Sequence, residues 1–216
     1  MEAVILFFDD KKPFEEYSRY LPIVSEKRRE RISLIVKDAD KLRSLFAELL
    51  IREMASRQLG TAPEKLDIAV GKYGKPFITG YEGYDFSVSH SGGAVAFAGG
   101  FSAVGADIEL IRPRRVNASE RFFAANELEF IKSHGNLDEA FFEIWTKKEA
   151  YSKMLGKGLA AGFGAFDVTD ENLGCSFFTQ KINGYVFSVC SEENFDLLKL
   201  AEMTETEFIE QLSERL

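Results

Sequence analysis

Asp107-Ile-Glu109 sets two carboxylates on alternate positions. In an extended strand, positions i and i+2 project from one face, so both acids point one way and Ile108 the other. Facing carboxylates repel unless a cation lies between them. Mg²⁺ suits such a pair, because it takes oxygen ligands and shares them with phosphate and water. Two acids at a solvated strand end would read the same way. A second group is Trp145-Thr-Lys-Lys-Glu149-Ala-Tyr-Ser-Lys153. At helical spacing Trp145, Glu149 and Lys153 stack along one face. Glu149 then offers a third metal ligand, and Lys153 a cation for a phosphate held by that metal. Alone, the two read equally as an i,i+4 ion pair worth about 0.2–0.5 kcal/mol. Sharing a face with Trp145 implies partial burial, and partly buried charges need partners. The third group is Ser87-Val-Ser89-His90-Ser91-Gly92-Gly93. Its backbone N–H groups, Ser89 and His90 can all donate to an anion. Gly74-Lys75-Pro76 precedes it and by itself reads as a turn.

Alternating and helical patterns predict the elements that carry these groups. Apolar spacing predicts helices over Lys41–Leu59, stopped by Gly60, and over Asp138–Leu155, stopped by Gly156. A third is expected over Ala118–Lys132, and Thr204 with Glu207 forms a capping box for a short C-terminal one. Strands are expected at Ala3–Phe8, Leu66–Val70, Asp85–Val88, Ala94–Ala98, Val104–Leu110, Ala165–Val168, Cys175–Gln180 and Tyr185–Cys190. A short repeat aligns Arg52–Gly60 with Lys148–Gly156, sharing Glu, Ser, Leu and Gly, and Phe86-Ser-Val recurs as Phe187-Ser-Val. In both copies a helix ends at Gly and strands follow. This order predicts an α+β chain of two similar halves, 1–103 and 104–216.

Length and composition narrow the class. The chain has 216 residues, 45% hydrophobic and 29% charged, which excludes wholesale disorder. Twenty Phe against 7 Tyr and 1 Trp predict an aromatic core. A net charge of −8 argues against a nucleic-acid binder. Basic residues nevertheless cluster at Lys27–Arg31, Arg112–Arg115 and Lys147–Lys157, which points to a discrete anionic ligand or to solvated surface. Cys175 and Cys190 are too few for a disulfide framework, so a reduced, cytoplasmic setting is expected. The apolar start runs straight into Asp9 and Asp10 and reads as a strand rather than a leader. Phe86–Ala106 is long and uncharged, but its serines, glycines and His90 favour two strands over a membrane span.

Taken in order, these motifs resemble the 4′-phosphopantetheinyl transferases of the pseudodimeric, surfactin-synthetase-activating type. The matching residues are Gly74-Lys75-Pro76, Phe86-Ser-Val-Ser-His90-Ser and Gly105-Ala-Asp107-Ile-Glu109. They continue with Arg121-Phe-Phe123-Ala-Ala-Asn-Glu127, Trp145-Thr-Lys-Lys148-Glu149-Ala-Tyr-Ser-Lys153 and Gly156-Lys-Gly158-Leu. The resemblance covers Lys27 to about Cys190. It implies a two-subdomain fold, coenzyme A as substrate, Mg²⁺ as cofactor and an apo acyl or peptidyl carrier protein as partner, in a monomer.

The resemblance also implies roles. Asp107, Glu109 and Glu149 fall at the Mg²⁺ ligand positions, and Ser89 and His90 at the grip on the coenzyme A phosphates. Gly74, Lys75 and Pro76 fall beside the adenosine, Lys27 and Arg43 near the 3′-phosphate, and Lys148 and Lys153 at the pyrophosphate. Glu30 stands where relatives carry a lysine, with Arg28 or Arg31 as replacements. Glu127 matches a family position without an assigned role. The reaction implied is attack of a carrier serine on the β-phosphate of coenzyme A, with Glu149 or a metal-bound water as base and Lys153 steadying the leaving phosphate. Lys157, Phe163, Phe166, Phe177 and Phe178 would face the carrier as a cation and exposed rings, or belong to the core. The same carboxylates would also serve a Mg²⁺-dependent phosphohydrolase, and a silent coenzyme A or carrier-binding module is the third possibility.

Overall fold

A computed structural model describes residues 1–113, 122–156, 162–195 and 198–213. Lys157 and the first residues of the helix expected over 118–132 lie outside them. The strands are β1 Glu2–Phe7, β2 Ile68–Val70, β3 Pro76–Ile78, β4 Asp85–Ser91, β5 Ala94–Gly100, β6 Val104–Leu110, β7 Ser176–Ile182, β8 Tyr185–Ser191 and β9 Lys199–Thr204. The helices are α1 Glu26–Ser33, α2 Asp38–Leu59, α3 Ala125–Ser133, α4 Leu137–Met154 and α5 Glu205–Ser213. Among the described residues, no helix is long and apolar enough to cross a membrane.

Two sheets pack face to face. The first has the order β4-β5-β1-β9, with β1 antiparallel to β5 and parallel to β9. The second has the order β6-β8-β7, all antiparallel. β2 and β3 form a separate hairpin. Strand alternation decides what lies between the layers. In β5, Val95 and Phe97 face α2, where Leu45, Phe46, Leu49 and Leu50 are fully buried. The alternate residues Ala94, Ala96 and Ala98 face the second sheet and meet Ala106, Ile108, Phe187 and Val189. The small alanines let the two sheets approach closely. α4 covers the far face of the second sheet, so the layers run α2, first sheet, second sheet, α4.

The fold departs from the sequence reading in four places. β3, α1 and a 3₁₀ segment at Phe14–Ile23 are additional elements. Ala165–Val168 is not a strand: a 3₁₀ turn at Phe163–Ala165 leads into it, and the Val168 N–H is donated to the Glu127 carboxylate at 2.8 Å rather than to a sheet partner. The third helix begins at Ala125, where Glu127 accepts the Ala124 N–H and caps the first turn. Residues 199–213 do not stay with the second half. β9 adds to β1, and Phe208 and Leu212 of α5 fill the α2 core, because the exposed edge of β1 pairs most directly with that strand.

Candidate active site

The site forms where β4, the edge of the first sheet, runs beside β6, the edge of the second. No backbone ladder joins these strands; side chains do. Ser89 Oγ donates to Asp107 Oδ1 and Ser91 Oγ to Glu109 Oε2, each at 2.6 Å. Period-two alternation sets serines 89 and 91 against carboxylates 107 and 109. α4 crosses above them, and Lys153 Nζ donates to the same Asp107 Oδ1 at 2.6 Å and to the Ala106 carbonyl at 3.2 Å. Asp107 is 3% exposed, and its Oδ2 is buried without a hydrogen-bond partner. Burial pushes the Glu149 carboxyl up to about 7, and the Asp107 and Glu109 charges add to the rise while Lys153 opposes it. Glu109 is also raised, by burial and by Asp107, with the Ser91 hydrogen bond pulling the other way.

Two adjoining cavities open from this point. One of about 650 Å³ is lined by Arg28, Arg31, Arg43, Gly74, Pro76, Ser89, His90 and Lys153, with Ile35, Val70 and Val88 as its apolar wall. The other, about 420 Å³, is lined by Tyr73, Gly74, Lys75, Pro76, Val88, Glu149, Ser152 and Lys153. Lys153, Gly74, Pro76 and Val88 form the shared wall. A further cleft of about 540 Å³ beside Phe8, Tyr185 and Met203 holds none of the candidate site residues.

Most sequence candidates converge here. Arg43 sits on α2, donates to the Gly92 carbonyl at 2.8 Å and so fixes the hairpin turn next to His90. His90 projects from β4 onto the cavity wall; partial desolvation, then the charges of Arg43, Lys153 and Arg28, hold its pKa below the ordinary histidine value. Gly74 takes φ +91°, a left-handed turn conformation that favours glycine and brings Lys75 round toward β4. Lys75 Nζ bridges the Asp85 carboxylate and the Val104 carbonyl at 2.9 Å, so it ties the turn to the start of β6.

Two candidates do not join the site. Lys27 is exposed and lines neither cavity. Ser25 caps α1 and Ile32 is its buried anchor, and that phase turns Arg28 and Arg31 toward the cavity instead. Lys148 is fully buried: its ammonium donates to both Glu127 oxygens at 2.6 and 2.7 Å and to the Phe166 carbonyl at 2.7 Å. One residue from Glu149, it turns about 100° around the helix and points into protein. This pairing gives Glu127 its role. Of the two readings of the rings, the structure takes the core one: Phe163 is buried, and Phe166, Phe177 and Phe178 pack against apolar clusters.

A divalent cation fits the donor set. Among the described residues no three His, Cys, Asp or Glu side chains are gathered to hold an ion by themselves. Mg²⁺ does not need that. It is usually held by one or two carboxylates, with substrate phosphate and water completing the shell. The buried, partnerless Asp107 Oδ2 leaves an oxygen for a cation, and burial together with the neighbouring carboxylate charges raises Glu109 and Glu149.

Sequence comparison is consistent with this geometry. The profile described as 4′-phosphopantetheinyl transferase superfamily matches residues 103–198, and that described as 4′-phosphopantetheinyl transferase, N-terminal, matches residues 12–102. A 4′-phosphopantetheinyl transferase of Bacillus subtilis is 31% identical over 170 residues, covering 78% of this chain and 76% of the relative. The chain belongs to the 4′-phosphopantetheinyl transferase family. Other members extend the match. The transferase psf-1 of Bacillus pumilus is 34% identical across 73% of this chain and 69% of its own. The transferase Sfp of Bacillus subtilis strain 168 is 27% identical across 88% and 92%.

Proposed function

We infer that the protein transfers the 4′-phosphopantetheinyl group of coenzyme A to a serine of an apo acyl or peptidyl carrier protein. The carrying observation is the pair of adjoining cavities that share Lys153, one walled by arginines and His90, the other by Glu149. A ligand with a bisphosphorylated nucleoside at one end and a pyrophosphate in the middle matches that division of charge. Arg28, Arg31, Arg43 and His90 would take the nucleotide phosphate, and Ile35 and Val70 would cover the base. Lys153 would neutralise the pyrophosphate.

The bond changes follow. The serine oxygen bonds to the β-phosphorus, the bond from that phosphorus to the bridging oxygen breaks, and adenosine 3′,5′-bisphosphate leaves. Glu149, whose carboxyl burial and the Asp107 and Glu109 charges raise to about 7 in the cation-free chain, would accept the serine proton through an oxygen not engaged by the cation. Lys153, already hydrogen-bonded to Asp107, meets the charge that develops on the leaving oxygen. Asp107, Glu109 and Glu149 would hold Mg²⁺, which when bound offsets charge on the pyrophosphate. No protein nucleophile is required, since phosphoryl transfer is mainly positioning and electrostatics. Both walls come from one polypeptide, which supports an active monomer binding one coenzyme A per chain.

The test is incubation with coenzyme A, Mg²⁺ and a panel of apo carrier proteins, read by intact-protein mass spectrometry. A phosphopantetheine adduct on one carrier serine is expected. Release of phosphate or phosphopantetheine without any carrier would instead mark a hydrolase. Specific activity should not change on dilution.

A further inference from the structure

We propose that Ser91 is a positioning residue: its hydroxyl sets Glu109 for a divalent cation and fixes that carboxylate in register with the phosphate-binding hairpin. The proposal rests on the cation reading given above. Three observations carry it. First, among the described residues β4 pairs by backbone only with β5, and β6 only with β8, so nothing in the ladders aligns β4 with β6. Second, Ser91 supplies that alignment with both halves of its hydroxyl. It donates its one proton to Glu109 Oε2 at 2.6 Å and accepts the Leu110 N–H at 3.2 Å. With donor and acceptor both committed, the hydroxyl cannot rotate, and the carboxylate it holds loses its rotamer freedom. Third, Ser91 belongs to a turn clamped from both sides. Arg43 donates to the Gly92 carbonyl at 2.8 Å from the first half, and the Gly93 N–H is donated to the Tyr185 hydroxyl at 3.0 Å in the second.

Ser91 therefore links a rigid hairpin carrying His90 to the strand carrying Asp107 and Glu109. Only Oε2 of Glu109 is taken by the serine, so the carboxylate keeps an oxygen for a cation. Ser89 stands in the same relation to Asp107 two residues earlier. Loss of the Ser91 hydroxyl would leave two groups without their partner, Glu109 and the Leu110 N–H. Groups that orient metal-binding carboxylates typically change cation affinity or activity by about 10–100-fold when removed. Phosphate recognition through Arg28, Arg31 and His90 would not share that loss, because the Ser91 hydroxyl is bonded to Glu109 and the Leu110 N–H and not to those side chains.

The experiment titrates Mn²⁺ into the full chain in the presence of coenzyme A and follows free Mn²⁺ by electron paramagnetic resonance. Steady-state kcat and KM are measured for coenzyme A and for its 3′-dephospho form. Ser91→Ala is expected to weaken Mn²⁺ about tenfold or more. It should lower kcat at limiting Mn²⁺, recover with excess Mn²⁺ and leave the preference for coenzyme A over the dephospho form unchanged. Ser91→Thr and Ser91→Val are isosteric and both favoured in strands, so their ratio reads the hydroxyl even if the alanine variant folds poorly. Thr should restore Mn²⁺ affinity and Val should not. Equal Mn²⁺ affinity in the Thr and Val variants overturns the assignment. A changed preference between coenzyme A and its dephospho form at constant Mn²⁺ affinity also overturns it, by placing Ser91 on the substrate. If the wild-type chain binds no Mn²⁺ in the presence of coenzyme A, the cation reading itself fails and takes this role with it.

Discussion

Gly105 of β6 and Ala150 of α4 touch backbone to backbone: a Cβ at position 105 would stand 1.8 Å from the Ala150 carbonyl oxygen and 2.5 Å from the Met154 nitrogen. Glu149 and Lys153 bracket this contact on the helix, and Asp107 lies two residues along the strand. The distance from α4 to the carboxylates is therefore set where neither backbone can give way. Gly105→Ala should push the helix outward. Overpacking of this kind costs about 1–3 kcal/mol or more, a fall in melting temperature of about 5–10 °C. Turnover should fall about 100-fold, because small misplacements at a reacting centre are costly. Calorimetry and carrier modification assays check both. A variant with unchanged melting and turnover would show that α4 is not held at this point.

His90 faces the arginine-lined cavity. If its ring donates to a nucleotide phosphate, His90→Ala should weaken coenzyme A by about 1.5–3 kcal/mol, the range for hydrogen bonds to charged groups. The 3′-dephospho form should lose much less. Isothermal titration with both ligands decides this, and equal losses would move His90 to the pyrophosphate.

Lys148 and Glu127 form an ion pair in which both side chains are 0% exposed. Burial pulls the lysine down from its ordinary value, and Glu127 holds it charged. Removing one member leaves the other buried and uncompensated, which costs about 3–5 kcal/mol. Lys148→Met should therefore lower the melting temperature by about 10 °C. Adding Glu127→Gln should recover part of the loss, since it removes the uncompensated charge, although its single amide oxygen can keep only one of the Ala124 and Val168 N–H bonds, which reach opposite carboxylate oxygens. The KM for coenzyme A of folded Lys148→Met should stay near that of the wild type. A large rise in KM without loss of stability would return Lys148 to the pyrophosphate.

Glu48 lies at the centre of a second buried network. Burial favours its neutral form, but the Ser25 N–H at 2.6 Å, Arg28 at 2.9 Å and Arg52 outweigh this and hold its pKa below the ordinary 4.5. A depressed carboxyl contributes stability that is fully present above the unfolded value and lost as pH falls through the folded one. Urea unfolding should thus show stability declining below about pH 4.5. Glu48→Gln should be less stable at neutral pH and should decline less steeply in acid. Parallel acid curves for both proteins would contradict the assignment.

Several features follow from local rules and were legible in the residues. Alternation put Asp107 and Glu109 on one face of a strand, and helical spacing put Glu149 and Lys153 on one face of α4. The glycine stops at 60 and 156 end their helices in left-handed geometry, with φ of 65° and 63°. The order of the motifs from Gly74 to Gly158 carries the family likeness without the tertiary structure.

What the sequence alone did not hold is which partner each group meets across the chain. Lys148 is one position from Glu149, yet its buried partner is Glu127, brought to it only when α3 packs on α4. Arg28 and Arg31 face the cavity in place of Lys27 because the Ser25 cap and the burial of Ile32 set the rotation of α1. The serines of β4 meet the acids of β6 although those strands share no ladder. β9 joins β1, nearly the full length of the chain away, because an open edge of backbone N–H and C=O groups accepts any strand the packing delivers. Sequence periodicity determines which face a side chain takes on its own element. Only close packing of α2, the two sheets and α4 decides which faces meet, since that choice is made by complementary volume and by the cost of leaving a buried polar group without a partner.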